Sequence, residues 1–208
     1  DIGTSYVDML DVGESQTVAV LLKSAVVGSA NDAAVAVAEF VGGSEPVFAE
    51  MMTKRAQELG MTMDEVVTLA SLIEREAQVE TDFAKVSAVF HNRLDAGMRL
   101  ESCASLSYEL NVRKYTFTEA ELATDSPYNT YRNSGLPVGP ISNPGKLAIE
   151  AALYPNEEFL EEGYLYFCNG KLQVTNPDGT VTHDYALVFD KTYEEHQQHV
   201  LEYRQYWP

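Results

Sequence analysis

Leu69-Ala70-Ser71-Leu72-Ile73-Glu74-Arg75-Glu76-Ala77 is the stretch on which the reading of this chain turns. At about 100° per residue of a helix, Leu69, Leu72 and Ile73 fall within about 60° of Glu76. Glu76 therefore sits in the middle of an apolar stripe. Glu74 points about 160° away, beside Val67, Ser71 and Gln78 on the more polar side. A carboxyl set among aliphatic side chains loses hydration, which raises its pKa and keeps it protonated near neutrality. That is the state a general acid needs. The pattern alone leaves a second reading open, in which Glu76 pairs with a buried arginine such as Arg93 and does no chemistry.

Working outward, Thr62 reads as the cap of this helix, with Glu65 as its capping-box partner. The helical period continues through Glu80, resumes from Asp82 to Leu94, and stops before Gly97. Upstream, Asn31-Asp32-Ala33-Ala34 reads as a helix start. Gly42-Gly43-Ser44-Glu45-Pro46 reads as a stop, a cap and a first-turn proline, opening a helix that Gly60 closes. Downstream, 126–145 holds four of the eight prolines, which predicts a long loop. Its interleaved Tyr128, Tyr131, Leu136 and Ile141 favour order, and loops of that length are functional or disordered. A helix over Lys146 to Tyr154 follows. Tyr164 to Cys168 and Val181 to Phe189 read as strands joined through Asn176-Pro177-Asp178-Gly179, and Thr192 opens a last helix.

The composition bounds the function. The 208 residues suffice for one good-sized core, or one domain with an appendage. Against 32 acidic residues stand 14 basic ones, a formal charge of −18, with no basic stripe for nucleic acid and no polybasic membrane contact. A neutral or zwitterionic ligand such as a glycan is compatible with that balance. No apolar run is long enough to span a bilayer. The chain opens at Asp1 inside patterned sequence, so a processed or shortened chain is expected. Cys103 and Cys168 are too few for a disulfide framework; a single bridge and two quiet thiols are both open. His196 and His199 share one side of a helix, but with Glu194, Glu195 and Gln198 beside them a solvated face is the expectation, with no metal and no cofactor.

The motif around Glu76 resembles the signature of the bacterial endolytic murein transglycosylases of the MltG (YceG-like) type. The resemblance runs on through Val89-Phe90-His91-Asn92-Arg93-Leu94 and Gly97-Met98-Arg99-Leu100. It continues at Ser126-Pro127-Tyr128-Asn129-Thr130-Tyr131, Gly135-Leu136-Pro137-Val138-Gly139-Pro140-Ile141, Asn143-Pro144-Gly145 and Tyr164-Leu165-Tyr166-Phe167. Lys191-Thr192-Tyr193-Glu194-Glu195-His196 completes it. Several ordered blocks over about 55–208 make the match specific.

The resemblance implies an α+β fold, with a lysozyme-like helical core, a small β element and a helical appendage in front. It implies one catalytic glutamate, carried here by Glu76, and a glycan cleft lined by Ser71, Asn92, Arg93, Tyr128, Asn129, Thr130 and Tyr131. The reaction so implied cuts the β-1,4 bond between N-acetylmuramic acid and N-acetylglucosamine without water and leaves a 1,6-anhydro end. The rivals are a hydrolase of the same bond and a noncatalytic glycan-binding module. The implied partners are peptidoglycan strands and cell-wall synthases (penicillin-binding proteins), not nucleic acid. The implied place is the outer face of the bacterial cytoplasmic membrane, with the anchor outside this chain.

The sequence departs from the pattern at Glu101-Ser102-Cys103-Ala104, where the family shows a Gln-Ser-Asp-Pro-like run. It departs again at His183, six residues before Phe189 where the family places a His two before it. Residues 1–50 resemble something else. Leu21-Leu22-Lys23 through Ser29-Ala30-Asn31-Asp32-Ala33-Ala34, with Gly42-Gly43-Ser44, looks like part of a serine D-Ala-D-Ala carboxypeptidase. No Ser stands three before a Lys, and no Lys-Thr-Gly occurs, so that segment is expected to be inert. The expected domains are thus 1–50 and 51–208.

Overall fold

The computed structural model describes residues 15–17, 20–21, 31–77, 79–114, 116–175 and 181–207. The 22–30 part of the carboxypeptidase-like segment, with Ser29 and Ala30, and the turn at 176–180 lie outside them. So does the side chain of His183. The chain divides into two compact units, Asp1–Met63 and Asp64–Pro208. The sequence expectation places its boundary thirteen residues earlier, at 50/51.

In the first unit, α1 (Asn31–Gly42) packs against α2 (Glu45–Glu58). The hairpin explains where the division falls, because α2 straddles residue 50 and stays with α1. Ser44 caps α2 by accepting the Val47 N–H, with a proline in the first turn. Gly42 has a mechanical reason to be glycine: a Cβ there would meet the Phe48 backbone nitrogen at 2.7 Å.

The second unit is built on α3 (Met63–Glu76) and α4 (Phe83–Asp95). The apolar stripe of α3 is fully buried at Val66, Leu69, Leu72 and Ile73, and α4 matches it with Val86, Val89 and Phe90. Removing one such side chain from a closed core costs about 2–5 kcal/mol. Helix α3 ends at Glu76 rather than running on to Glu80; a single 3-10 turn at Glu80–Asp82 precedes α4. The helical period through Glu80 thus overstates the helix, and Glu76 is the last helical residue. Gly97, in the left-handed region at φ 65°, closes α4.

Short helices α5 (Cys103–Glu109) and α6 (Glu119–Leu122) come next; Thr118 and Glu121 form a capping box on α6. The proline-rich loop leads into α7 (Lys146–Leu153) and α8 (Glu157–Glu161), both of which pack on α4. Strands β1 (Tyr166–Thr175) and β2 (Val181–Asp190) form a two-stranded antiparallel sheet, in register with Phe167 opposite Phe189 and Gly170 opposite Ala186. Helix α9 (Tyr193–Tyr203), capped by Thr192 with Glu195, lies against both strands. The result is a helical core with a small sheet, the expected α+β class. No helix among the described residues is long and apolar enough to cross a membrane.

Candidate active site

A cavity of about 520 Å³ lies where the end of α3, the 100–103 segment, β1 and α9 come together. Glu76 is in its wall. The residue keeps some solvent contact through the cavity, yet the surrounding protein desolvates its carboxyl and pushes the pKa upward. Hydrogen bonds from Ser102 and the Ala104 backbone, and the charge of Arg75, pull the other way without cancelling it. The helix C-terminus, negative end of the peptide dipole, also disfavours the ionised form.

The geometry of the carboxyl is specific. Ser102 Oγ donates to Glu76 Oε1 at 2.5 Å and the Ala104 N–H donates to the same oxygen at 3.2 Å. Oε2 has no hydrogen-bond partner among the described residues, so it is the oxygen available to carry a proton. Ser102 is itself fixed, its N–H on Thr130 Oγ1 at 2.9 Å and its carbonyl on Ser105 Oγ at 2.9 Å. A carboxyl with one oxygen anchored and the other open is arranged for proton transfer in one direction.

Arg93 does not pair with Glu76. It is buried, donating to the carbonyls of Leu165, Arg99 and Leu100, and its ion pair is with Glu101 at 3.5 Å. Its guanidinium also packs on the ring of Tyr166, 4.9 Å from the centroid. Glu101 holds a left-handed backbone (φ 51°) that side-chain-bearing residues seldom adopt, and lies in the same cavity wall. It is a second carboxylate in the site. Its oxygens stand 3.5 Å from both Arg93 and Arg99.

Of the expected cleft residues, Arg93 and Tyr131 line the cavity together with Glu76; Ser71, Asn92, Tyr128, Asn129 and Thr130 do not. The framework uses those five. Ser71, fully buried, donates to the Thr68 carbonyl and accepts the Ile141 N–H. Asn92 ties α4 to the carbonyls of Phe159 and Tyr164. Asn129 holds the carbonyls of Leu122 and Thr124, and Thr130 steadies Ser102. Tyr128 packs on Tyr108, with centroids 5.0 Å apart.

Glu74 is half-buried and anchored. Its Oε2 accepts the Gly145 N–H at 3.0 Å, at the start of α7, where a negative charge suits the helix dipole. The polar side of α3 is covered by the proline-rich loop. Glu194, Glu195 and Gln198 are exposed as a solvated face requires, but the two histidines are half-buried. His196 and His199 flank the buried Asp190, with His199 Nδ1 at 2.6 Å from Oδ1 and His196 Nδ1 at 3.4 Å from Oδ2. Burial lowers the pKa of His196, with Asp190 opposing. Its ring stacks on Tyr166 in the cavity wall.

Neither Cys103 nor Cys168 is in a disulfide. Cys103 meets the Tyr131 hydroxyl at 3.0 Å; burial, helped by the charge of Glu76, raises its thiol to about 11. Burial, then Asp190, takes Cys168 to about 12. Neither is a nucleophile near neutrality.

The family model described as YceG-like matches residues 27–202. The chain belongs to the YceG-like family. An endolytic murein transglycosylase of Bacillus subtilis is 38% identical over 138 residues, covering 66% of this chain and 34% of that protein. The chain thus spans about a third of that YceG-like relative's length. The crystal structure of a yceG-like protein from Listeria monocytogenes superposes with a TM-score of 0.57 at 35% identity, over 74% of this chain and 45% of that one. A separate likeness is confined to 52 residues, 50% identical to the D-alanyl-D-alanine carboxypeptidase DacF of Bacillus subtilis. It covers 25% of this chain and 13% of DacF.

Proposed function

We propose that this YceG-like chain cuts peptidoglycan strands at the β-1,4 bond between N-acetylmuramic acid and N-acetylglucosamine, with Glu76 as the single acid and base. The observation that carries the reading is the Glu76 carboxyl, desolvated, fixed through Oε1 by Ser102 and Ala104, and open at Oε2. Oε2–H gives its proton to the glycosidic oxygen as the bond to C1 breaks. The carboxylate left behind takes the proton of the muramic C6 hydroxyl as O6 bonds to C1, closing a 1,6-anhydro ring. Every proton is accounted for, and the intramolecular hydroxyl replaces both water and an enzyme nucleophile. The names of the relatives support the reaction class. Aromatic rings of Tyr131, Tyr166, Phe167 and Trp207 in the wall suit the apolar faces of sugars.

Hydrolysis is the second reading, and Glu101 favours it, since hydrolases set two carboxylates about the bond. Mass analysis of the products from purified, uncrosslinked strands separates the two. Anhydro ends, one water lighter than reducing ends, support the lyase; reducing muramic ends throughout make the enzyme a hydrolase. No turnover at all leaves only a binding module.

A peptidoglycan substrate implies activity outside the cytoplasmic membrane, with cell-wall synthases as working company. The same reading holds residues 1–50 to be catalytically inert. Incubation with a labelled penicillin then leaves no covalent adduct, and a stoichiometric adduct surviving denaturation contradicts that.

A further inference from the structure

A second cavity, about 280 Å³, opens beside the anchorage of Glu76, walled by Arg75, Ala104, Ser107, Tyr108, Val112 and Ile141. Two features join it to the first. Arg75, the residue before Glu76, lines both cavities. The two donors that hold Glu76 Oε1 are divided between them, Ser102 in the first wall and Ala104 in the second. The Glu76 carboxyl is therefore fastened to the segment that parts the two spaces.

We propose that the second cavity binds an N-acetylated hexosamine of the same glycan strand, across the scissile bond from the sugars held in the first. This rests on Glu76 being the acid of a strand-cutting enzyme. A bond inside a strand carries sugar on both sides, and an acid standing at a partition reaches it when the strand passes from one cavity to the other.

The lining suits such a ring. Tyr108 is 49% exposed and tilts against Tyr128, offering an aromatic face to sugar C–H groups. Ser107 and Ser142 spend their hydroxyl protons on the carbonyls of Lys114 and Ser71, which leaves their oxygens as acceptors for sugar hydroxyls or an acetamido N–H. Arg75 is exposed and makes no ion pair among the described residues, so it can donate to the strand where it crosses. The proline-rich loop, anchored on Ser71 through Ile141 and Ser142, forms the far wall.

Val112→Trp fills this cavity and Tyr108→Ala removes its platform; both sites are more than two-fifths exposed, so the fold should tolerate either. On uncrosslinked strands each should lower kcat/KM by about tenfold, mainly through KM, with the melting temperature unchanged in Val112→Trp and only slightly lowered in Tyr108→Ala by loss of the Tyr128 contact. In the Glu76→Gln background, each should weaken binding of a fragment several disaccharides long by a similar factor and leave binding of a single disaccharide unchanged. Parent affinity for the long fragment in both variants overturns the proposal, as does equal weakening for the single disaccharide. If Glu76→Gln keeps full turnover, the acid assignment fails while these binding data still decide the second cavity.

Discussion

The two sides of the last turn of α3 carry the same chemical group to opposite ends. On the loop side, Glu74 lends its charge to the start of α7 and holds the Gly145 N–H; on the cavity side, Glu76 keeps its charge suppressed by burial. Between them stands Arg75, exposed and facing both cavities. The difference lies in what covers each face. Glu74 meets the start of a helix, where a negative charge suits the peptide dipole, whereas Glu76 ends its helix inside a wall of protein that strips water from its carboxyl and raises its pKa. Position two residues along a helix is enough to separate a structural charge from a reactive proton.

The sharpest break of this comparison is the pair Glu76→Gln and Glu74→Gln. Glu76→Gln keeps shape and hydrogen bonding but has no carboxyl proton, so turnover on uncrosslinked strands should fall by about 10²–10⁴-fold. Equal losses in both variants would mean the two faces do not differ in kind.

Ser102→Ala comes next. It removes one of the two anchors on Oε1, and a hydrogen bond worth about 1 kcal/mol net implies a loss of roughly fivefold in kcat. Because that bond holds the Glu76 pKa down, the basic limb of the pH–rate profile should also move to higher pH. A limb that shifts lower, or a variant indistinguishable from the parent, counts against the anchorage.

Glu74→Gln should show its effect on folding rather than turnover. Losing the charge at the start of α7 costs about 0.3–1 kcal/mol, visible as a small drop in melting temperature, with kcat within about twofold. Smallest of all should be the response to EDTA: none, since one carboxyl suffices for the proposed chemistry. Activity abolished by EDTA and restored by zinc would contradict that.

How much of this is legible in the sequence follows from the range of the interactions. The apolar stripe of α3 and the place of Glu76 in it are set within one helix, and they survive intact in Leu69, Leu72 and Ile73. The caps at Ser44 and Thr192 are equally local. What the sequence does not reveal spans distance: Ser102 reaches Glu76 across 26 residues and Gly145 reaches Glu74 across 71. Glu101 enters the cavity through an unusual backbone conformation that composition does not signal. The helix end at Glu76 is hidden because the helical period outlasts the helix. Tyr128, Asn129 and Thr130 belong to the motif that carries the resemblance, yet their contacts build the loop that supports the site rather than its lining.

Burial leaves Glu76 holding its proton to higher pH than an ordinary glutamate does. Burial raises its pKa in the folded chain alone, so the folded state binds the extra proton, and stability falls as pH rises from about 4.3 through the folded value. Glu76→Gln lacks this penalty and should melt at or above the parent near neutrality, the two converging below the ordinary glutamate range. The direct measurement is a carbon-13 titration of the Glu76 carboxyl by NMR, assigned by its absence in Glu76→Gln. A midpoint clearly above about 4.3 is the expected result, and a midpoint at or below it would contradict the account.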